Sequence, residues 1–139
     1  MVKLLDKDVT GKIIACTFKV HRTLGAGFLE KVYENALLLE LRKCGSKVQQ
    51  QIPIKVHYDG ESVGEYFADL LVEDRIICEP KAADVLKKDH EIQLVNYLAA
   101  TGLDTGLLIN FGQSVTVKRK FRRYEKSAEA CPVNPEKSC

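Results

Sequence analysis

Apolar residues recur at helical spacing in three parts of the chain and alternate or run together in five others. In the first helical part, Cys16, Val20 and Leu24 are four residues apart, and Thr10 stands where an N-cap is expected. Asp59-Gly60 is a hairpin signal between two alternating segments. The predicted elements are helices 10–24 and 29–44, strands 47–58, 62–72 and 75–81, helix 89–101, and strands 105–111 and 115–121. The order ααβββαββ indicates an α/β fold with a mixed central sheet flanked by helices.

The length of 139 residues fits one domain, predicted to span residues 1–124, and residues 125–139 lack periodicity and are expected to form a mobile tail. With 45% hydrophobic and 29% charged residues, the composition is that of a globular protein. No apolar run reaches the roughly 18 residues of a membrane span, and the charged start does not fit a signal peptide. A cytoplasmic location without membrane contact is therefore expected. Five scattered cysteines lack the spacing of a zinc site.

The net charge is only +2, but basic residues are concentrated at the end of the last predicted strand. Interleaved with Phe121 and Tyr124, such a cluster is typical of a surface that contacts nucleic-acid phosphates. A solvated terminal strand and tail would explain the same residues equally well. The candidate nucleic-acid-binding residues are Lys118, Arg119, Lys120, Arg122 and Arg123.

Two acids and a lysine fall near the ends of two consecutive predicted strands. Glu79 and Lys81 are two residues apart, so they share a face of their strand, and a short hairpin brings Asp69 beside Glu79. Two converging carboxylates need a counter-charge, which a divalent cation that prefers oxygen ligands supplies. Such a cation polarises a phosphoryl oxygen and lowers the pKa of a bound water, while a nearby lysine stabilises the transition state. The pattern favours phosphodiester hydrolysis.

The same acids and lysine also have structural explanations. Glu79 and Lys81 fit the solvent-facing side of an amphipathic strand, and they also fit a simple ion pair. The apolar stretches 70–72 and 76–78 indicate, however, that the charges stand at the end of a buried strand. Charges in such a place favour a functional site over a solvated face.

Further segments resemble a known protein family. Residues Gly27-Phe28-Leu29-Glu30-Lys31-Val32-Tyr33 contain the spacing G-x-x-E-x-x-Y, and the chain resembles the GxxExxY proteins of the PD-(D/E)XK nuclease superfamily. The resemblance continues through Val20-His21-Arg22, Gly64-Glu65-Tyr66 and the segments 68–72, 93–98 and 106–112, so that it covers about residues 8 to 121. The core order of that superfamily, αβββαβ, agrees with the predicted order. The resemblance implies a restriction-endonuclease-like PD-(D/E)XK core.

By this resemblance, Asp69 and Glu79 are expected to bind Mg²⁺ or Mn²⁺, and Lys81 is expected to be the catalytic lysine. Glu30, at the start of the second helix, would complete the acidic cluster as a further metal ligand or orient a water molecule. Taken alone, Glu30 is also explained as a first-turn acid that the helix dipole favours. The resemblance therefore adds a role that the position of Glu30 does not by itself require.

Two residues of the third predicted helix are expected to position the substrate. Gln93 and Tyr97 are four residues apart, so they share a helix face, and in this superfamily a helix with such a pair flanks the site. A core position for Tyr97 and an ordinary helix position for Gln93 are the alternatives.

Pro80 departs from the family pattern, which usually has an apolar strand-forming residue between Glu79 and Lys81. Proline lacks an N–H and is disfavoured within a central strand, so it can shift Lys81 or mark the end of the strand. The resemblance implies a metal-dependent nuclease acting on DNA or RNA. The alternative is a non-catalytic nucleic-acid-binding or protein-interaction domain with the same fold, and the sequence leaves a homodimer open.

Overall fold

The computed structural model describes the backbone of residues 2–122 and the side chains of residues 6–122. The elements are α1 (Val2–Leu24), α2 (Glu30–Lys43), β1 (Val48–Tyr58), β2 (Glu61–Val72), β3 (Ile76–Lys81), α3 (Lys88–Thr101), β4 (Thr105–Phe111) and β5 (Val115–Phe121). The predicted order is confirmed, and every element except the first agrees with its predicted bounds to within one residue at each end. The predicted tail, 125–139, and the basic residue Arg123 lie outside the described residues.

Five strands form one mixed sheet in the order β1-β2-β3-β4-β5. Neighbouring strands are antiparallel except β3 and β4, which are parallel and are joined through α3. Asp59 and Gly60 form the turn between β1 and β2, and both have the positive φ that a type I′ hairpin requires. Glu73 and Asp74, between β2 and β3, also have positive φ. These tight turns fix which residues of the first three strands lie opposite one another.

Helices cover both faces of the sheet. On one face, α1 and α2 contribute residues such as Ile13 and Leu41 to a cluster that includes Cys78 of β3. On the other face, α3 packs Leu94 in a second cluster with Ile77, the neighbouring residue of β3. Strand β3 is therefore buried on both sides, as is typical of a strand with a parallel neighbour. A charged residue in β3 needs a partner or a function, because burying a lone charge is unfavourable.

The first helix was predicted to begin at Thr10, and that prediction is wrong. Helix α1 begins at Val2, and the Thr10 hydroxyl donates within the helix to the Lys7 carbonyl oxygen (3.0 Å) instead of capping its end. The cause is the absence of glycine and proline from residues 2–9, so nothing in the sequence stops the helix there. An ion pair between Asp6 and Arg75 (3.2 Å) ties the early part of α1 to the start of β3. Among the described residues, no helix is long and apolar enough to cross a bilayer.

Tyr33 holds the connection between α1 and α2 in place. Its buried hydroxyl donates to the Gly25 carbonyl oxygen (2.6 Å), and its ring stacks on Phe111 of β4 with 4.5 Å between centroids. Gly27 has a φ of 107°, a conformation that other residues rarely adopt. The glycine and the tyrosine of the G-x-x-E-x-x-Y pattern thus shape the loop that sets where Glu30 begins α2.

Candidate active site

Asp69 and Glu79 lie side by side on β2 and β3. They stand one step beyond the paired residues Leu70 and Cys78, so the hairpin register puts them opposite each other. The main-chain N–H of Asp69 donates to Glu79 Oε2 (2.8 Å). The sequence prediction that a short hairpin would bring these two acids together agrees with the structure.

Burial and neighbouring charges both act on this pair. Glu79 is only 5% exposed, and its burial raises its pKa to about 8, with a further contribution from the charge of Asp69. The pKa of Asp69 is also raised, first by burial and then by the charge of Glu34 on α2. Both shifts mean that the folded protein disfavours two ionised carboxylates at this point. A cation bound between them would favour the ionised form.

Lys81 is the basic residue nearest to Glu79 in the sequence. It is two residues after Glu79 on the same face of β3, and its charge acts to lower the pKa of both Asp69 and Glu79. The end of β3 is anchored by Asn110 of β4, whose side chain accepts from the Ala83 N–H (2.9 Å) and donates to the Ala83 carbonyl oxygen (2.8 Å). These bonds fix the chain directly after Lys81.

Pro80 does not end the strand. It is buried, and β3 continues through it to Lys81, with Pro80 beside Ile109 and Lys81 beside Asn110 in the parallel ladder with β4. The missing N–H of Pro80 therefore leaves the strand positions of Glu79 and Lys81 intact. The departure from the family pattern is accommodated in the fold.

Glu34 is a site residue that the sequence prediction missed. It is 2% exposed, and its Oε2 accepts from Gln50 (2.9 Å), Gln51 (3.0 Å) and Lys31 (3.2 Å). The Gln51 amide also donates to Asp69 Oδ1 (3.1 Å), so a glutamine of β1 links Glu34 to the acid pair.

A signal for Glu34 is present in the sequence. The residues three, four and seven positions after it are Leu37, Leu38 and Leu41, which places Glu34 on the apolar face of α2. An acid in that position is unusual because a buried charge needs partners. The helical pattern could therefore have singled out Glu34 before its partners were known.

Glu30 lies at the exposed first turn of α2. Its charge contributes to the raised pKa of Asp69, but less than burial and the charge of Glu34 do. Glu30 is therefore on the side of the site that solvent reaches, whereas Glu34 is built into the hydrogen-bond network.

Tyr97 of α3 borders the acids. Burial raises its pKa to about 12, and the charges of Glu79 and Asp69 add to the shift. Gln93, one turn earlier on α3, is exposed and lines a groove of about 810 Å³ between α3 and the β1–β2 hairpin. Tyr97 lines the same groove, whereas the acids themselves do not. Both predicted positioning residues thus line the groove, and Tyr97 is also beside the acid pair.

The basic residues of β5 are not gathered at the acids. Lys118 and Lys120 both bind Glu91 of α3 (3.0 Å each). Arg119 donates to Thr10 of α1 (3.5 Å). Arg122, the next of the predicted set, binds Asp104 (2.9 Å). These side chains therefore connect β5 to α1, α3 and the loop before β4.

The donor atoms at the site fit a hard divalent cation in part. Among the described residues, no three His, Cys, Asp or Glu side chains form a ready ligand group. Asp69 and Glu79 nevertheless offer adjacent carboxylates. Mg²⁺ in phosphoryl-transfer sites is typically held by one or two carboxylates together with water and substrate phosphate. The pair therefore suits such an ion, with water and substrate as the remaining ligands.

Comparisons with known proteins agree with the fold described above. The model of the PD-(D/E)XK nuclease superfamily matches residues 7–124. The crystal structure of SSO0001 is similar, with a TM-score of 0.53 and 16% identity over 69% of this chain and 51% of that one. An alkaline exonuclease (LHK-Exo) from Laribacter hongkongensis is similar with a TM-score of 0.51 and 16% identity over 67% of this chain and 56% of that one.

These similarities differ in what they show. At 16% identity, the two structures show the shared fold, and the chain spans about half the length of each. None of the curated protein sequences that were compared matches this chain. The family match and the similar structures confirm the predicted PD-(D/E)XK-type fold, and the GxxExxY group stays a prediction.

Proposed function

Because the chain belongs to the PD-(D/E)XK nuclease superfamily, we propose that it is a Mg²⁺- or Mn²⁺-dependent nuclease that hydrolyses phosphodiester bonds of nucleic acid. The observation that carries the proposal is the adjacent pair of Asp69, which is partly buried, and Glu79, which is buried, with Lys81 on the same strand face as Glu79. Their raised pKa values are the effect expected of acids that a cation would stabilise in the ionised form. The reaction class follows from this set of residues and from the family.

Each residue has a distinct part in this proposal. Asp69 and Glu79 hold the cation, which when bound lowers the pKa of a water molecule and polarises the phosphoryl group. Lys81 orients the attacking water or stabilises the negative charge that develops on the phosphate. Gln51 holds the carboxylate of Asp69, because its amide joins that carboxylate to the buried Glu34.

Residues around this centre are proposed to support it. Glu30 completes the acidic cluster from the exposed first turn of α2, in keeping with the G-x-x-E-x-x-Y pattern by which we assign the chain to that group. Gln93 and Tyr97 position the substrate, a role supported by their place in the groove beside the acids.

The first test is a calorimetric titration of Mn²⁺ into chelator-treated protein. We expect the wild type and the control Glu65→Ala, an exposed acid of β2, to bind Mn²⁺. Binding is expected to be lost in Glu79→Ala and in the closer replacement Glu79→Gln, since each removes one of the paired carboxylates. Circular dichroism of the variants separates loss of the site from loss of the fold.

Cleavage is then assayed on single-stranded and duplex DNA and RNA with Mg²⁺ or Mn²⁺. We expect cleavage by the wild type and cleavage slower by about 10²- to 10³-fold in Lys81→Ala. Failure of the wild type to bind metal and to cleave any of these substrates would overturn the proposal. Metal-independent nucleic-acid binding that weakens steeply with salt would then support the non-catalytic binding domain.

A further inference from the structure

Gln93 and Tyr97 line only part of the groove of about 810 Å³ beside the acids, and its other lining residues have no role in the chemistry described above. Strand β1 and Tyr66 of β2 form one wall, and α3 forms the other. Its volume lies within the range of roughly 300–1,000 Å³ that holds small organic ligands, a class that includes single nucleobases. The groove is therefore suited to separate bases and not to an intact double helix.

The walls of the groove contain an aromatic pair. Tyr66 is 48% exposed, and its ring is tilted by 43° against that of Tyr97, with 5.9 Å between centroids. Tyr97 is buried and packs against Tyr66, whose side chain stays partly exposed where it lines the groove. An exposed tyrosine ring held in this way is a surface on which a base can stack.

Polar groups complete the groove. Gln93 and Asn96 line it from α3, and their amides carry both donors and acceptors, which suit the hydrogen-bonding edges of unpaired bases. Lys55 adds a positive charge from β1, but Asp89 also lines the groove, so the local charge is small. Stacking and base-edge contacts must then supply more of the binding than phosphate contacts do.

Tyr97 lies between the groove and the acid pair. That residue lines the groove and packs in the same cluster as Ala68, which precedes Asp69 in β2, and the charges of Glu79 and Asp69 act on its pKa. A strand with one phosphodiester at the acids would therefore place its neighbouring bases beside Tyr97 and Tyr66. A duplex would hold those bases paired and out of reach of the aromatic pair.

We propose that this groove binds unpaired bases of single-stranded nucleic acid next to the bond to be cut, with Tyr66 as the stacking residue. The proposal rests on the nuclease function and names the class of its substrate. A single strand, or a single-stranded end or flap of a duplex, is the substrate that the groove selects.

The test is fluorescence anisotropy with a short labelled oligonucleotide, as a single strand and annealed to its complement, in chelator so that nothing is cleaved. We expect the single strand to bind more tightly than the duplex. Tyr66→Ala should weaken single-strand binding by about 5- to 100-fold, the effect of losing one stacked base. Tyr66→Phe should stay within about two-fold of wild type because the ring is kept. Tyr58→Ala is the matched control, since Tyr58 is a 71% exposed tyrosine at the end of β1 that does not line the groove.

Three results would overturn the proposal: duplex binding as tight as single-strand binding, no effect of Tyr66→Ala, or an equal effect of Tyr58→Ala. The binding assay is independent of the cleavage assay, so the two proposals fail separately. Cleavage of duplex without any effect of Tyr66→Ala would support the nuclease proposal and contradict the proposed role of the groove. Single-strand binding that depends on Tyr66, in a protein that cleaves nothing, would support the proposed role of the groove and contradict the nuclease proposal.

Discussion

Glu79 and Glu91 are two glutamates of the same fold, but the charges next to them have opposite signs. Glu91 of α3 binds Lys118 and Lys120, each at 3.0 Å, and these hydrogen bonds lower its pKa to about 2. Glu79 of β3 is buried beside another acid, Asp69, and its pKa is raised to about 8. One glutamate has two cations from the protein, whereas the other has a like charge for its neighbour.

The difference separates a structural ion-pair site from the proposed metal site. The two lysines neutralise Glu91 and connect β5 to α3, so nothing further is needed there. At Glu79, the charge of Asp69 raises the pKa, and the charge of Glu34 acts in the same direction on Asp69, whereas the charge of Lys81 lowers the pKa of both acids. A fold keeps such an imbalance where a ligand supplies the missing charge. Predictions that alter either glutamate or its lysines therefore test the functional assignment.

The largest expected effect is on catalysis. Lys81→Ala should lower the cleavage rate by about 10²- to 10³-fold, the usual result of removing one group that stabilises transition-state charge. Lys12→Ala, which removes an exposed lysine of α1, is the control and should leave the rate unchanged. The measurement is the single-turnover rate at saturating metal. A comparable loss in both variants would mean that general positive charge, and not the position of Lys81, determines the rate.

The second effect is a dependence of stability on pH without divalent cations. The pKa of Glu79 rises from 4.5 in the unfolded chain to about 8 in the folded protein, so the folded state binds more protons between these values. The free energy of unfolding should therefore fall, by on the order of a few kcal/mol, as the pH rises from about 5 to about 8. Urea denaturation at a series of pH values, in buffer that contains a chelator, measures this free energy.

Two additions to this experiment identify the group responsible. Glu79→Gln should have a flatter pH profile, because the amide does not titrate, and Mn²⁺ should stabilise the wild type most at high pH, where both acids are ionised. A wild-type profile that does not change with pH, or an equal slope in Glu79→Gln, would contradict the imbalance at this site.

Most of the fold could be predicted from the sequence because its signals are local. Alternating or continuous apolar segments and the turn Asp59-Gly60 marked the strands, and helical spacing marked α2 and α3. The start of α1 was predicted wrongly, because Thr10 is a common capping residue but also fits inside a helix when its hydroxyl bonds to the preceding turn.

The candidate site also has a part that could be predicted from local signals and a part that could not. Asp69, Glu79 and Lys81 could be placed together because one hairpin joins their strands. The network of Glu34 could not be foreseen, since its partners Gln50 and Gln51 come from another element. The pairing of the β5 lysines with Glu91 spans even more of the chain, so it could not be predicted from their concentration in the sequence, and a nucleic-acid-binding role for them stays a prediction.

The third prediction compares two acids of α2. Glu34→Ala removes a buried carboxylate that accepts hydrogen bonds from Gln50 and Gln51 and should lower the free energy of unfolding by about 1–3 kcal/mol. It should also weaken Mn²⁺ binding, because Gln51 orients Asp69. Glu30→Ala, at an exposed position, should change the free energy of unfolding by less than about 0.5 kcal/mol. Urea denaturation measures the free energy of unfolding, and calorimetry measures Mn²⁺ binding. A larger destabilisation by Glu30→Ala than by Glu34→Ala would contradict a structural role for the Glu34 network.

The smallest effect is expected at Glu91, whose ion pairs reach solvent. Glu91→Gln should lower the melting temperature slightly at neutral pH, and high salt should reduce the difference from wild type because it screens exposed pairs. The pKa of Glu91 is lowered to about 2, so its stabilisation is present above the unfolded pKa of 4.5 and is lost as the pH falls towards 2. The melting temperatures of the wild type and Glu91→Gln should therefore converge in acid, opposite to the direction expected for Glu79.

Thermal unfolding across this pH range, with Glu61→Gln at the exposed start of β2 as the control, measures the convergence. A large difference that neither salt nor acid reduces would show that Glu91 acts through packing, and the contrast between the two glutamates would then not be one of charge balance.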